Sequence, residues 1–265
     1  MCALQGEHGW TIWASDDTAL ALPNAGWGEL PDGALLVRGR GDGAVQAFLV
    51  PASDIRPAGG DSDVSLSTEL DGTTLGFGER FWSLLRTASP GLAALLDNEA
   101  NPLQKVSYSD RYLRNPLAVS LLVDLIYALT QTACGSNRFD IEVVSQTFAN
   151  IRQNYGRWWD DWDNHVDRDS VLQRVLLDCG LTARVCSADA GQIEHARILE
   201  LHFESGQQLR LRLDQGVSFW RQQHSHHQPR FGFAQPVTEQ SASLLQPALK
   251  VAAPEGLHSH VFIKL

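Results

Sequence analysis

Several signatures of nucleotide-binding proteins and hydrolases are missing from this 265-residue sequence. It contains no GxxxxGK[ST] loop and no GxGxxG between a predicted strand and a predicted helix, which excludes the usual phosphate-binding loops of nucleotide enzymes. The GxSxG element of serine hydrolases and the HExxH pair of zinc proteases are also absent. We therefore expect no cofactor and none of these enzyme classes.

Paired cysteines and long apolar runs are missing as well. The four cysteines show no CxxC spacing, which favours free thiols in a reducing cytoplasm over a zinc site. No apolar run reaches the roughly 18 residues of a membrane helix, and we find no signal-peptide pattern, so we expect a cytoplasmic protein without a membrane span. The net charge of −10 excludes attachment to DNA by bulk charge, so any such contact requires a local basic patch.

Composition divides the chain into three predicted parts. Residues 1–57 carry the short apolar runs WTIWA, GALLVRGR and VQAFLVPASDI between turn signals, which predicts a small β unit. Residues 58–100 are predicted to be a linker followed by helices, because 58–76 contains few large apolar side chains. Residues 101–265 alternate between strand and helix patterns and form the predicted main domain.

The main domain has the pattern of an α/β sheet. Its predicted elements are a strand at 103–109, a helix at 115–133, a strand at 138–148, a helix at 168–179 and three further strands. Asn115 is a suitable helix cap, and Pro116 fits the first turn. Strands joined through helices pair in parallel, whereas the short ESGQQ turn joins two antiparallel strands. The sequence therefore predicts a mixed, mainly parallel sheet with an antiparallel hairpin at one side.

A charged cluster follows the first strand of this domain. Asp110, Arg111, Tyr112 and Arg114 stand between the strand and the helix that begins at Pro116. Open α/β sheets bind their ligands at the carboxyl ends of strands, and arginine suits bidentate contact with phosphate. This position predicts a site for an anionic ligand.

The stretch HARILELHFESGQQLRLRLDQGVSFW resembles part of the phospholipase D-like domains. Those domains carry HxK on one strand of a hairpin and a Gly-Ser segment after the next strand; the histidine attacks phosphorus and the lysine clamps the phosphate. Here His195-Ala196-Arg197 stands where HxK would, and Gly216-Val217-Ser218 stands where Gly-Ser would. SDRYLRNPLAVSLLVDLI is similar to an element in non-catalytic relatives of this family, such as the C-terminal lipid-binding domain of some endosomal-sorting proteins. The resemblance covers about residues 103–220.

This sequence departs from the catalytic pattern of that family. Arg197 replaces the lysine, His202 replaces an aspartate seven residues beyond the histidine, and a second HxK copy is missing. The resemblance therefore implies a degenerate pocket for a phosphate, formed by Arg111, Arg114, His195, Arg197 and Ser218. One alternative is a homodimeric phosphodiesterase or nuclease that uses His195. Another is a structural scaffold in which His195 and Arg197 satisfy buried acidic groups such as Asp110 or Asp214.

The segment GRWWDDWDN, residues 156–164, interleaves three tryptophans with acidic residues. We interpret Trp158, Trp159 and Trp162 as aromatic anchors for a protein partner. The alternatives are that the rings pack onto the protein itself, or that they stack on bases, although the neighbouring carboxylates would repel phosphate.

The histidines of HSHH at 224–227 and HSH at 258–260 could ligate a metal, but no third ligand group is evident, and we predict no metal site.

The string YSDRYLRNPL is similar to segments of bacterial anti-phage defence proteins, including C-terminal regions that accompany helicases. That similarity implies an accessory binding subunit of an antiviral defence complex. Its expected partner is a larger, helicase-like protein, and DNA or RNA is a further expected ligand of the phosphate pocket.

Overall fold

A computed structural model describes the fold. The described residues are 2–5, 11–14, 62–135, 138–150, 156–223, 229–246 and 249–265. The chain divides into two compact units, residues 1–59 and residues 60–265. In the first unit, β1 (Cys2–Gln5) pairs with β2 (Thr11–Ala14) in antiparallel fashion. The predicted strands GALLVRGR and VQAFLVPASDI and the histidines of HSHH lie outside the described residues.

The second unit contains ten strands and five helices within its described part. The strands are β3 (Ser62–Leu66), β4 (Gly72–Thr73), β5 (Leu103–Asp110), β6 (Asp140–Gln146), β7 (Ala183–Ala188), β8 (Arg197–Phe203), β9 (Gln208–Leu213), β10 (Arg221–Gln222), β11 (Lys250–Ala252) and β12 (Ser259–Lys264). The helices are α1 (Phe77–Ala88), α2 (Pro90–Leu96), α3 (Pro116–Leu129), α4 (His165–Asp178) and α5 (Val237–Leu245).

Seven of these strands form one sheet in the order β3-β12-β9-β8-β5-β6-β7, and a small sheet has the order β10-β11-β4. The β5–β6 and β6–β7 pairs are parallel, and the other four pairs of the large sheet are antiparallel. Five of the seven strands consequently run in the same direction. The predicted mixed α/β class is confirmed, and its parallel part is the β5-α3-β6-α4-β7 segment.

Helix α3 lies at the centre of the packing because its sequence is apolar on nearly all sides. Its start agrees with the sequence pattern: the Asn115 side chain accepts a hydrogen bond from the Ala118 amide at 2.8 Å. Twelve of its 14 residues are buried. Helix α1 packs against it, and the Trp82 indole donates a hydrogen bond to the Leu125 carbonyl at 2.9 Å.

The range predicted as a linker with helices, 58–100, contributes several packed elements from residue 62 onward. Strand β3 pairs with β12, and α1 packs against α3, so these elements belong to the same compact unit as residues 101–265. The boundary between the compact units therefore lies at 59/60. The low apolar content of β3 reflects its position at the sheet edge, where only Val64 and Leu66 are buried.

The other edge of the large sheet, β7, is partly covered by a side chain of α4. The Gln173 amide nitrogen donates to the Ala183 carbonyl at 2.5 Å, and its oxygen accepts from the Val185 amide at 3.3 Å. Gln173 therefore occupies backbone groups that another strand could otherwise pair with.

No helix in the described part of the chain has the length and apolar character needed to span a membrane.

Candidate functional site

The carboxylate of Asp110 lies fully buried at the carboxyl end of β5. Its Oδ2 accepts a hydrogen bond from the Tyr108 hydroxyl at 2.8 Å, and its Oδ1 accepts one from the Tyr112 amide at 2.7 Å. The Nε of Arg197 is 3.8 Å from Oδ1. Burial raises the pKa of Asp110, while these hydrogen bonds and Arg197 act in the opposite direction. Asp110 thus connects the end of β5 to Arg197 on β8.

Tyr112 joins this cluster to His195-Ala196-Arg197, the HAR segment. The guanidinium of Arg197 lies 4.8 Å from the centre of the Tyr112 ring, and the Tyr112 hydroxyl is hydrogen-bonded to Nε2 of His195 at 3.1 Å. Arg197 also donates to the Asp214 carbonyl. His195 and Tyr112 both reach the surface. The strand end and the HAR segment, about 85 residues apart in sequence, therefore meet at one place.

Gly216 packs directly over the Arg197–Asp110 pair. Its φ is +64°, and a Cβ at this position would lie 2.5 Å from Cδ of Arg197 and 3.1 Å from Oδ2 of Asp110. Both features require glycine. The Ser218 hydroxyl instead donates to the Gln215 carbonyl at 3.4 Å. Gly216 is therefore the residue of the predicted Gly-Val-Ser segment that touches the cluster, and the phosphate-binding role of Ser218 stays a prediction.

The two other predicted arginines lie on opposite sides of the strand end. Arg111 donates from Nε to the Ile193 carbonyl at 2.8 Å, which ties the strand end to the loop that carries His195. Arg114 points toward β6, where its Nη2 donates to Oε1 of Gln146 at 3.3 Å and its guanidinium lies 5.4 Å from the Phe148 ring centre. Arg111 therefore belongs to the group around His195, whereas Arg114 extends the positive charge along the sheet edge.

Sequence reasoning missed Arg168, the most thoroughly bonded side chain at this edge. Its guanidinium is fully buried and donates to the Leu113 carbonyl (2.8 Å), the Gln146 carbonyl (3.3 Å), the Ser187 hydroxyl (2.6 Å) and the Asp169 carboxylate (2.6 and 2.8 Å). These contacts link the carboxyl ends of β5, β6 and β7. Since all five N–H groups of Arg168 are engaged, its role is to fix the edge on which the other residues stand.

A row of polar side chains crosses the three parallel strands beside this arginine. Asp110 is the register partner of Ser145 on β6, and Ser145 is the register partner of Ser187 on β7. The Ser145 hydroxyl is buried and has no hydrogen-bond partner among the described residues. Buried polar groups without partners are uncommon in folded proteins, so Ser145 is an exception in this otherwise bonded row.

The tryptophan segment does not form the exposed anchor that we expected. Trp158 and Trp162 are only 2 % and 1 % exposed, and both rings pack edge-to-face against Phe231. The Trp162 indole also donates to Oε1 of Gln240 at 3.0 Å. These two residues stabilise the core, because removing their large aromatic surfaces from water lowers the free energy of the folded state. Trp159 is partly exposed, with the Arg157 guanidinium 5.1 Å from its ring centre, and it alone stays a candidate for partner contact.

The described histidines and acidic residues form no group of three or more that could hold a metal. His260 on β12 has its Nδ1 3.1 Å from Oδ1 of Asp63 on β3, so it forms a contact between paired strands. His202 is 3.8 Å from Glu200 and lies at the far end of β8 from His195. It is therefore remote from the Tyr112–His195 contact.

These contacts define a mixed α/β domain with a cationic and aromatic cluster at the carboxyl ends of its parallel strands. A family model described as "DEAD/DEAH box helicase YjiV, C-terminal domain" matches residues 60–265, which is the second compact unit. The chain belongs to this family. No curated protein and no solved structure gives a match. The family confirms the expected association with helicases, whereas the phospholipase D-like assignment stays a prediction.

Proposed function

We propose that this chain is an accessory domain that works beside a DEAD/DEAH-box helicase and holds nucleic-acid phosphate in a degenerate phospholipase D-like pocket. The observation that carries the proposal is the convergence of Tyr112, His195 and Arg197 at the carboxyl end of β5. Helicases act on nucleic acid, and an accessory domain that retains the strand would keep the substrate near the motor. The contact with DNA or RNA then occurs through phosphate, which both polymers share.

The local charge supports an anionic ligand even though the whole chain is acidic. Arg111 and Arg114 flank Tyr112 in the sequence, and Arg197 faces it from β8. The one fully buried carboxylate in this group, Asp110, is matched by Arg197 and two hydrogen bonds. Arg111 and Arg114 are both partly exposed and place positive charge at this strand end, where the Asp161 carboxylate offsets part of the charge of Arg114.

The same contacts explain why binding is favoured over catalysis. Arg197, which stands where the family's lysine would, is held between Asp110 and the Asp214 carbonyl, and only 16 % of its side chain is exposed. His202 stands where the family's aspartate would, and it lies at the other end of β8. A nucleophilic mechanism would require an acidic group or a second histidine from a partner copy to protonate the leaving oxygen.

Binding to nucleic acid tests the proposal. Fluorescence anisotropy should detect single-stranded DNA or RNA binding at low salt, with a dissociation constant of about 10⁻⁴ to 10⁻⁶ M that weakens as salt rises. Replacing Arg111 and Arg114 together by glutamine should weaken binding about tenfold and reduce the salt dependence. The matched control replaces Arg174 and Arg184, two exposed arginines that are each paired with a carboxylate, and it should bind as the parent does. Equal loss in both double variants, or no binding by the parent chain, would overturn the proposal.

The phosphodiesterase alternative has its own test. The parent chain is expected to leave a chromogenic phosphodiester and plasmid DNA intact over hours, because the catalytic set is incomplete. Hydrolysis that disappears in a His195→Ala variant, with unchanged circular dichroism, would instead establish a homodimeric enzyme. Such an enzyme should also lose activity on dilution, since two copies of the chain would form its site.

The helicase partner and the defence role form the second part of the proposal. The family membership supports the helicase partner, and the similarity of YSDRYLRNPL to defence-protein segments motivates the antiviral role. Co-purification of this chain with a helicase encoded beside it, followed by a phage challenge with and without the chain, tests both. Unchanged phage susceptibility would remove the antiviral role and leave the binding function standing.

A further inference from the structure

We infer that the proposed site takes a single strand of nucleic acid with one base stacked on the ring of Tyr112. This inference rests on the proposed function and assigns the ligand class of the same site. Tyr112 belongs to the charged cluster that the sequence predicted, but it was not among the five residues assigned to the phosphate pocket. Its surroundings in the structure distinguish it from the other tyrosines of the described chain.

The ring of Tyr112 is fixed before any ligand arrives. Its amide donates to Asp110, its hydroxyl is bonded to His195, and the Arg197 guanidinium lies 4.8 Å from its centre. The His195 ring approaches its edge, with the two planes at 67°. A ring held on several sides loses little conformational entropy when a base packs against it, so binding is more favourable than on a mobile side chain.

The ring nevertheless remains open to solvent. Tyr112 is 36 % exposed although Arg197 packs on it. The Arg197 guanidinium over the ring, together with the exposed part of Tyr112, resembles the arrangement by which proteins stack unpaired bases while neighbouring arginines neutralise the phosphates. Arg111 and Arg114 occupy the positions on each side of Tyr112 in the chain, so phosphates flanking a stacked base would lie near positive charge.

A single strand fits this arrangement better than a duplex does. In a duplex both faces of every base are already stacked on neighbours, so the ring could be used only after a base was unpaired. An unpaired strand offers its bases directly, and it is also the product of helicase action. Exposed acidic residues near the site, Glu194 and Asp214, should keep the affinity modest and the release rapid.

Two ligands of equal charge separate base stacking from phosphate contact. One is a labelled thymidine oligonucleotide of about 12 residues, and the other is an abasic deoxyribose-phosphate oligomer of the same length. The full chain should bind the thymidine strand about tenfold more tightly than the abasic one. A hairpin duplex of equal phosphate number should bind no better than the abasic strand.

Variants at Tyr112 then locate the stacking surface. Tyr112→Leu should weaken thymidine binding about tenfold and leave abasic binding within about twofold, whereas Tyr112→Phe, which keeps the ring, should stay within about twofold for both ligands. Tyr127→Leu is the matched control, because Tyr127 is 43 % exposed on α3. Thermal unfolding of each variant establishes that the fold is retained.

The remaining outcomes distinguish failure of the inference from failure of the proposed function. Equal binding of thymidine and abasic strands, with loss in the Arg111/Arg114 variant, would overturn base stacking and leave phosphate binding intact. Equal weakening in Tyr112→Leu and Tyr112→Phe would assign the effect to the hydroxyl and likewise overturn stacking. Absence of binding to every ligand would overturn both the inference and the proposed function.

Discussion

Arg197 and Asp110 form an ion pair between β8 and β5, with 3.8 Å between Nε and Oδ1, and Gly216 packs against both side chains. The pair joins a strand end to the HAR segment, and the glycine leaves room for no larger residue. The geometry of the Arg197–Asp110 pair therefore depends on Gly216, a residue without a side-chain functional group. This dependence can be tested without touching any charged side chain.

Gly216→Ala should destabilise the chain by about 2 to 3 kcal/mol, because the new methyl group meets Cδ of Arg197 and the φ of +64° is unfavourable for alanine. Gly206→Ala is the control: Gly206 has φ +83° and nothing within 4 Å of the added Cβ, so it should cost only about 1 kcal/mol. Urea unfolding measures both values. Equal losses of stability in the two variants would mean that the structure relieves the collision at position 216 at no cost in unfolding free energy.

The buried carboxylate of Asp110 should make stability depend on pH. Burial raises its pKa above the ordinary value of 3.8, so the folded protein favours the protonated form more than the unfolded chain does. Its contribution to the free energy of unfolding is therefore largest at low pH and declines as pH rises through the raised pKa. Each unit of upward shift corresponds to about 1.4 kcal/mol.

The measurement compares unfolding of the parent and Asp110→Asn between about pH 4 and pH 8. The stability of the parent relative to the variant should fall as pH rises. Asp140→Asn, a change at an exposed carboxylate at the opposite end of β6, controls for the general effect of charge. A parent that gains stability over Asp110→Asn with rising pH would contradict the assignment.

Two buried tryptophans offer a matched comparison of hydrogen bonding. Trp162→Phe should cost about 1 to 3 kcal/mol more than Trp158→Phe, because it leaves the Oε1 of Gln240 without its indole donor. The indole nitrogen of Trp158 has no partner among the described residues, so its loss removes packing alone. Chemical denaturation of the two single variants gives the difference, and a larger loss for Trp158→Phe would contradict this view.

Removal of the side chain that covers β7 should promote self-association. Gln173→Ala exposes the Ala183 carbonyl and the Val185 amide at the sheet edge, and a second copy could pair there. Sedimentation velocity at rising concentration should show a larger oligomeric fraction than in the parent or in Gln131→Ala, an exposed control beyond α3. Identical sedimentation of all three would show that this edge is protected by other means.

Local patterns in the sequence predicted the central part of the fold well. The helix cap at Asn115, the β5-α3-β6-α4-β7 order and the β8–β9 hairpin all follow from periodicity and turn residues, and the structure confirms them. The pairing of β3 with β12 could not be predicted in this way, because no local signal records which distant edge a strand will join. Short strands with few apolar residues, such as β3, resemble linkers until a partner is known.

At the candidate site, too, local sequence patterns were informative, whereas contacts between distant residues could not be predicted. The sequence placed Asp110 at the end of a parallel strand, and the structure shows that this strand end contacts the His195–Arg197 segment; a ligand there stays a prediction. The sequence left open whether the tryptophans bind a partner or pack onto the protein itself, because the Trp162 partners Phe231 and Phe233 come some 70 residues later. Arg168 could have been found: it occupies the same helical face as Val171, Leu172 and Val175, which signals that it points inward.

The β3–β12 pair has a consequence for how this protein is made. The Asp63 and His260 side chains are in contact although the two residues lie 197 positions apart, and among the described strands β3 pairs only with β12. During synthesis β3 therefore emerges long before β12, the strand with which it pairs in the described sheet. Closure of that edge is a late, high-contact-order event, so the nascent chain exposes a strand that a chaperone, or another nascent copy, can reach first.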